Sequence, residues 1–62
     1  MKAYITEFFD GAKLTRIECM SSTGEHIFDA LWDSTEANTP ENRIAFRDWT
    51  VSMLKRKGYT IE

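Results

Sequence analysis

Three segments in the first half of the chain combine β-branched and aromatic residues in lengths typical of strands. They span residues 2–8, 13–20 and 25–32, and turn-forming residues separate them at Asp10-Gly11 and at 21–24. Glycine adopts positive φ at little cost, and Asp and Ser hydrogen-bond their own backbone, so these separators predict two tight hairpins. The pattern therefore predicts a three-stranded antiparallel meander.

Charge pairing and alternation predict the strand registers. A three-residue loop at 9–11 places Glu7 opposite Lys13 and Lys2 opposite Glu18, whereas a two-residue loop at Asp10-Gly11 sets apolar residues opposite charged ones. A four-residue loop at 21–24 places Cys19 opposite His26. The two hairpins together predict one apolar sheet face, which a helix would cover, made of Ala3, Ile5, Ile17, Cys19, Phe28, Ala30 and Trp32.

The second half of the chain predicts one helix over 40–57. Thr39 is a good N-cap, Pro40 suits the first helical position, and Gly58 follows three basic residues that favour a helix C-terminus. A stripe of Ala45, Phe46, Trp49 and Met53 is expected to face the sheet. Residues 59–61 predict a short last strand, with its position in the sheet left open. The expected fold is α+β, a single small domain over 1–62 with a three-stranded antiparallel meander, one C-terminal helix and a last strand (β-β-β-α-β).

Composition and charge narrow the function classes. The 62 residues are 42% hydrophobic and 29% charged, with a net charge of −2, which is typical of a small soluble domain without the basic excess of general nucleic-acid binders. Chains of this length rarely build a deep catalytic cleft. One cysteine and one histidine exclude an internal disulfide and a four-ligand zinc site. We therefore expect no enzyme activity, no catalytic residues, no cofactor and no metal, and a cytoplasmic location.

Two surplus apolar surfaces are the candidate partner sites. On the sheet face away from the helix, a mixed aromatic and charged set is expected, of the kind enriched in protein interfaces: Tyr4, Phe8, Leu14, Arg16, Ile27 and Leu31. On the helix, a second sector is expected to contain Ile44, Arg47, Val51 and Leu54. The alternatives are an ordinary sheet exterior for the first set, and cover by the 33–39 loop and the last strand for the second.

Other chemistry-bearing residues have plainer interpretations. Cys19 beside His26 could begin a nucleophile–base pair, but a buried thiol is usually inert. Trp32 and Trp49 are assigned to core packing, and the acidic 33–36 loop to capping and solubility. The carboxylates Asp10, Glu18, Glu25, Asp29, Asp33 and Glu36 have no metal-loop spacing. The cluster Lys55-Arg56-Lys57 could bind phosphate, although cations at a helix C-terminus also compensate its dipole.

The sequence thus favours a non-enzymatic protein-binding module, a small regulator, adaptor or inhibitor of a larger protein, of the kind that phages and mobile elements often encode. A homo-oligomeric structural or scaffolding protein is the first alternative, because symmetry would bury the surplus apolar surface. A weak nucleic-acid-binding module that uses the basic end of the helix is the second.

Overall fold

Four strands and one helix follow the predicted order in a computed structural model that describes residues 1–61. The strands are β1 (Lys2–Asp10), β2 (Lys13–Ser21), β3 (His26–Leu31) and β4 (Thr60–Ile61), and the helix is α1 (Pro40–Arg56). The predicted α+β class and the β-β-β-α-β order are confirmed. Over the described residues, α1 is too short and too polar to cross a membrane.

The sheet has the strand order β3-β2-β1-β4, which settles the position of the last strand. β4 pairs with β1 in parallel, with Lys2 opposite Thr60 and Ala3 opposite Ile61, so the sheet is mixed. The parallel pair is possible because α1 carries the chain back across the sheet before β4 begins. Gly58 makes this return with φ +94, a conformation that glycine adopts without a Cβ clash.

Both predicted hairpin registers are wrong, although all seven residues predicted for the core face do belong to the core or pack against it. β1 and β2 pair Ile5 with Cys19 and Asp10 with Lys13, so the turn consists of Gly11 and Ala12. Over most of the pair this differs from the predicted register by four residues, and an even shift keeps each side chain on its face. The observed register pairs eight residues of each nine-residue strand, and the added ladder bonds and burial outweigh two surface charge pairs.

A bulge in β2 corrects the predicted position of Leu14. Phe8 pairs with Arg16 and Phe9 pairs with Leu14, so Thr15 is an extra residue between the two pairs. The extra residue reverses the alternation, and Leu14 turns from the expected outer face into the core, where it is 1% exposed. Ile27 in β3 is likewise an extra residue, because Cys19 pairs with Phe28 and Met20 pairs with His26.

The helix packs on the predicted sheet face through a stripe that is only partly the predicted one: Phe46 packs against the core and Met53 is half-buried, as expected. Thr39 caps it as predicted, its hydroxyl accepting a hydrogen bond from the Asn42 amide at 3.2 Å. Thr50 and Leu54 are the fully buried residues of α1, whereas Ala45 and Trp49 are exposed. The hydroxyl of Thr50 donates to the Phe46 carbonyl within the helix, which lets this polar residue stay buried. The core contains Ala3, Leu14, Ile17, Cys19, Ala30 and Leu54.

Asn38 ties the loop between β3 and α1 to the start of β2. Its side-chain carbonyl accepts from the Leu14 amide at 3.1 Å, and its side-chain NH₂ donates to the Leu14 carbonyl at 2.9 Å. The Asn38 amide therefore satisfies both backbone groups of Leu14 beside the bulge. Arg43 of α1 also binds Asn38, because its guanidinium donates to the Asn38 backbone carbonyl at 2.6 Å and to the side-chain oxygen at 3.1 Å.

Candidate functional site

The first predicted surface is only partly present. Tyr4, Phe8 and Arg16 lie on the sheet face opposite α1, as expected, and Leu31 at the end of β3 is 72% exposed. The assignment of Leu14 to this surface is wrong because the bulge buries that residue. Ile27 is half-buried and packs against the core, so its assignment is also wrong.

On the sheet face away from α1, which we call the open sheet face, Arg16 is the centre of a network of charged and aromatic side chains. Its guanidinium lies 3.8 Å from the centre of the Phe8 ring and contacts carboxylate oxygens of Glu18 at 3.5 Å and Asp29 at 3.4 Å. His26 Nε2 is 3.1 Å from Asp29 Oδ1. The charges of this face are therefore largely matched within the chain, which leaves few of them for a partner.

The same network brings together three potential metal ligands that the sequence did not suggest. The ligand atoms of Glu18, His26 and Asp29 lie within 4.8 Å of one another. Imidazole and carboxylates are suitable donors for a divalent cation. Arg16 already provides the counter-charge for both carboxylates, and its positive charge repels a metal ion there.

The second predicted surface does not form an apolar patch. Leu54 is 0% exposed, so its assignment to a partner surface is wrong, and Val51 is half-buried. Leu54 is covered by the sheet and by the C-terminal segment, where the Tyr59 amide donates to the Leu54 carbonyl. Arg47 reaches Glu7 with 3.9 Å between Nε and Oε1. Ile44 is the exposed apolar member of the set, with 63% of its surface accessible.

An aromatic groove lies between the end of β3 and α1. Its volume is about 450 Å³. Trp32 packs edge-on against Phe46, with 5.1 Å between ring centres. Phe46 stacks with Trp49 at 6.5 Å and an interplanar angle of 13°. We call this surface the aromatic groove, and its lining residues are Leu31, Trp32, Asp33, Glu36, Asn42, Ala45, Phe46 and Trp49.

The loop after β3 fixes both the aromatic and the acidic side of the aromatic groove. The Trp32 indole Nε1–H donates to the Glu36 carbonyl at 3.2 Å, which orients the ring. Asp33 Oδ1 accepts from the Thr35 amide at 2.9 Å and from its hydroxyl at 2.7 Å. These hydrogen bonds lower the pKa of the Asp33 carboxyl, because they favour its charged form. The Asp33 side of the groove therefore carries a negative charge at neutral pH.

The sequence interpretation of these aromatic residues was incomplete. Trp32 is half-buried as expected, but Trp49 is 52% exposed instead of lying in the sheet-facing stripe. The acidic 33–36 loop does form a hydrogen-bonded turn, and it also borders a groove. The usable sequence signal was the three-residue spacing of Phe46 and Trp49 on one helix, together with Leu31 and Trp32 at the end of the strand before it.

The predicted neighbours Cys19 and His26 do not pair. Cys19 lies opposite Phe28 in the core, whereas His26 lies opposite Met20 and is exposed. Burial raises the pKa of the Cys19 thiol to about 11, and the charges of Asp29 and Glu18 add to the effect. The thiol is therefore protonated at neutral pH and is a poor nucleophile.

The basic residues of α1 do not form a continuous patch. Arg43 is bound to Asn38 and Arg47 is close to Glu7. Lys57 lies 5.9 Å from the Phe28 ring centre. The cluster at 55–57 thus stands apart from these two arginines at the far end of the helix.

Comparison with family models, with curated proteins and with solved structures finds no match to this chain.

Proposed function

We propose that this chain is a non-enzymatic protein-binding module, a regulator, adaptor or inhibitor of a larger cytoplasmic protein, and that it docks through the aromatic groove. The observation that carries the proposal is the exposure of Leu31 and Trp49 on either side of the Trp32–Phe46 pair. Aromatic side chains that combine large apolar area with few rotatable bonds dominate the binding energy of protein interfaces.

The construction of the aromatic groove supports a preformed docking site. The Trp32 ring is held by its hydrogen bond to the Glu36 carbonyl, and the loop itself is held by Asn38. Residues that are already ordered lose little conformational freedom on binding, so more of their contact energy contributes to affinity. The sheet face with Arg16 is a weaker candidate because its charges are matched within the chain.

Site-specific photocrosslinking tests the proposal. A benzophenone amino acid replaces Leu31, and the tagged chain is irradiated in lysate of the organism that encodes it. Leu31 is 72% exposed, so the substitution should leave the fold intact. The control carries the same group at Glu25, which is exposed and lies at the other end of β3.

We expect one foreign protein to crosslink in stoichiometric yield at position 31 and not at position 25. The further substitution Trp49→Glu should abolish that crosslink while the melting temperature stays within a few degrees, since Trp49 is half-exposed and outside the core cluster. The same proteins at both positions, or no crosslinked protein at all, would refute the proposal.

A homo-oligomer is a second candidate, favoured by the free edge of β3. Within residues 1–61 this strand ends the sheet and pairs on one side alone, with β2, so its outer backbone groups could pair with another copy. Crosslinks at position 31 that join only copies of this chain would replace the first proposal with this one.

A further inference from the structure

The aromatic groove combines π faces with unmatched negative charge. Asp33 and Glu36 border it, and within residues 1–61 neither carboxylate takes part in an ion pair. The basic cluster of the chain lies at the opposite end of α1. A partner group that complements this groove must therefore be cationic and able to lie against aromatic rings.

The chain already contains one arginine site with the same set of groups. On the open sheet face, Arg16 lies over the Phe8 ring at 3.8 Å and contacts two carboxylates, those of Glu18 and Asp29. The aromatic groove offers aromatic rings and two carboxylates without an arginine. A guanidinium stacks on rings and binds carboxylates through a planar fork, and it is less strongly hydrated than an ammonium group.

We propose that the aromatic groove binds an arginine side chain of the partner protein. This inference rests on the proposed function and names the chemistry of the partner. The guanidinium stacks against the rings of Trp32 and Trp49, and the carboxylates of Asp33 and Glu36 provide its counter-charge. Its alkyl stem covers the exposed side of Leu31.

The probe is N-acetyl-arginine amide, and the matched control is N-acetyl-citrulline amide, which has nearly the same shape without the charge. Binding is followed by ¹H–¹⁵N NMR of the whole chain, in which the indole N–H signals of Trp32 and Trp49 report directly on the aromatic groove. We expect saturable shifts of both signals, with a Kd of roughly millimolar size for so small a ligand. The citrulline probe should bind at least about fivefold more weakly.

Two pairs of substitutions distinguish the effect of the charge at the groove from the effect of the net charge of the chain. Asp33→Asn with Glu36→Gln should weaken arginine binding roughly threefold or more, and Asn at 33 can still accept the hydrogen bonds from Thr35. The control pair, Asp10→Asn with Glu25→Gln, removes two exposed carboxylates at the hairpin turns and should leave the Kd unchanged. Trp49→Ala should abolish saturation.

Three results would overturn the inference: equal binding of both probes, equal weakening by the two charge pairs, or shifts confined to the open sheet face around Phe8. Failure of the inference is distinguishable from failure of the proposed function. If a partner crosslinks at position 31 but the arginine probe does not bind, the chain is still a protein-binding module, and its partner binds the groove through a group other than arginine. Arginine binding without a crosslinked protein leaves a cation site and refutes the docking role.

Discussion

Asn38 gives the most direct test of how the loop beside the aromatic groove is held. Its side chain accepts from the Leu14 amide and donates to the Leu14 carbonyl, at 3.1 and 2.9 Å. Asn38→Ala leaves both backbone groups without a protein partner next to a residue that is 1% exposed. Arg43 keeps its hydrogen bond to the backbone carbonyl of residue 38 but loses the one to Asn38 Oδ1 at 3.1 Å.

The magnitude follows from the two hydrogen bonds lost at the buried Leu14 backbone, because water can replace the third one at the half-buried Arg43 guanidinium. At about 1 kcal/mol for each net hydrogen bond, Asn38→Ala should lower the free energy of unfolding by about 2 kcal/mol. A domain of this length has a total stability of roughly 3–9 kcal/mol, so the loss is a large fraction of it. The melting temperature should fall by roughly 8–16 °C, because 1 kcal/mol corresponds to about 4–8 °C in small domains.

Thermal unfolding followed by circular dichroism measures the effect, and urea unfolding with an unchanged slope would locate it in the native state. The matched control is Asn42→Ala, which removes one exposed hydrogen bond, to the Ala37 carbonyl, and improves helix propensity. It should change stability by no more than about 0.5 kcal/mol. Equal losses of stability in the two variants would refute the role assigned to the Asn38 side chain. An unchanged hydrogen-exchange rate of the Leu14 amide in Asn38→Ala would refute it as well.

Three further predictions concern the core, the thiol and self-association. Leu14→Ala and Leu54→Ala should each lower the free energy of unfolding by about 2–5 kcal/mol, whereas Leu31→Ala should lower it by no more than about 0.5 kcal/mol. Thermal unfolding measures the three values, and similar values for all three would contradict the assigned burial. The pKa of Cys19 is raised from 9.0 to about 11, so its contribution to stability is complete below pH 9 and declines as the pH rises through 11. The melting temperature of the native chain should therefore fall more between pH 8 and pH 10.5 than that of Cys19→Ala, and equal falls would argue against a buried thiol. The melting temperature should not depend on protein concentration; a rise with concentration would favour the homo-oligomer.

The sequence was sufficient where the determinants are local. Thr39, Pro40 and Gly58 define the two ends of the helix through backbone hydrogen bonds and conformational preference, and the structure confirms both ends to within one residue. Alternation in the strands also predicted the core face correctly away from the two bulges, because a register that is wrong by an even number of residues preserves which side chains share a face.

Tertiary structure decided the register, the bulges and the rotation of the helix. Leu14 is in the core because Thr15 is an extra residue in β2, and the loop residue Asn38, 24 positions away, satisfies the backbone there. Trp49 became part of a groove because α1 turns Thr50 and Leu54 toward the sheet instead. These outcomes depend on packing and hydrogen bonds between distant segments, and periodicity within one segment carries no information about them. The aromatic groove could therefore be located only after β3, the loop and α1 were placed together.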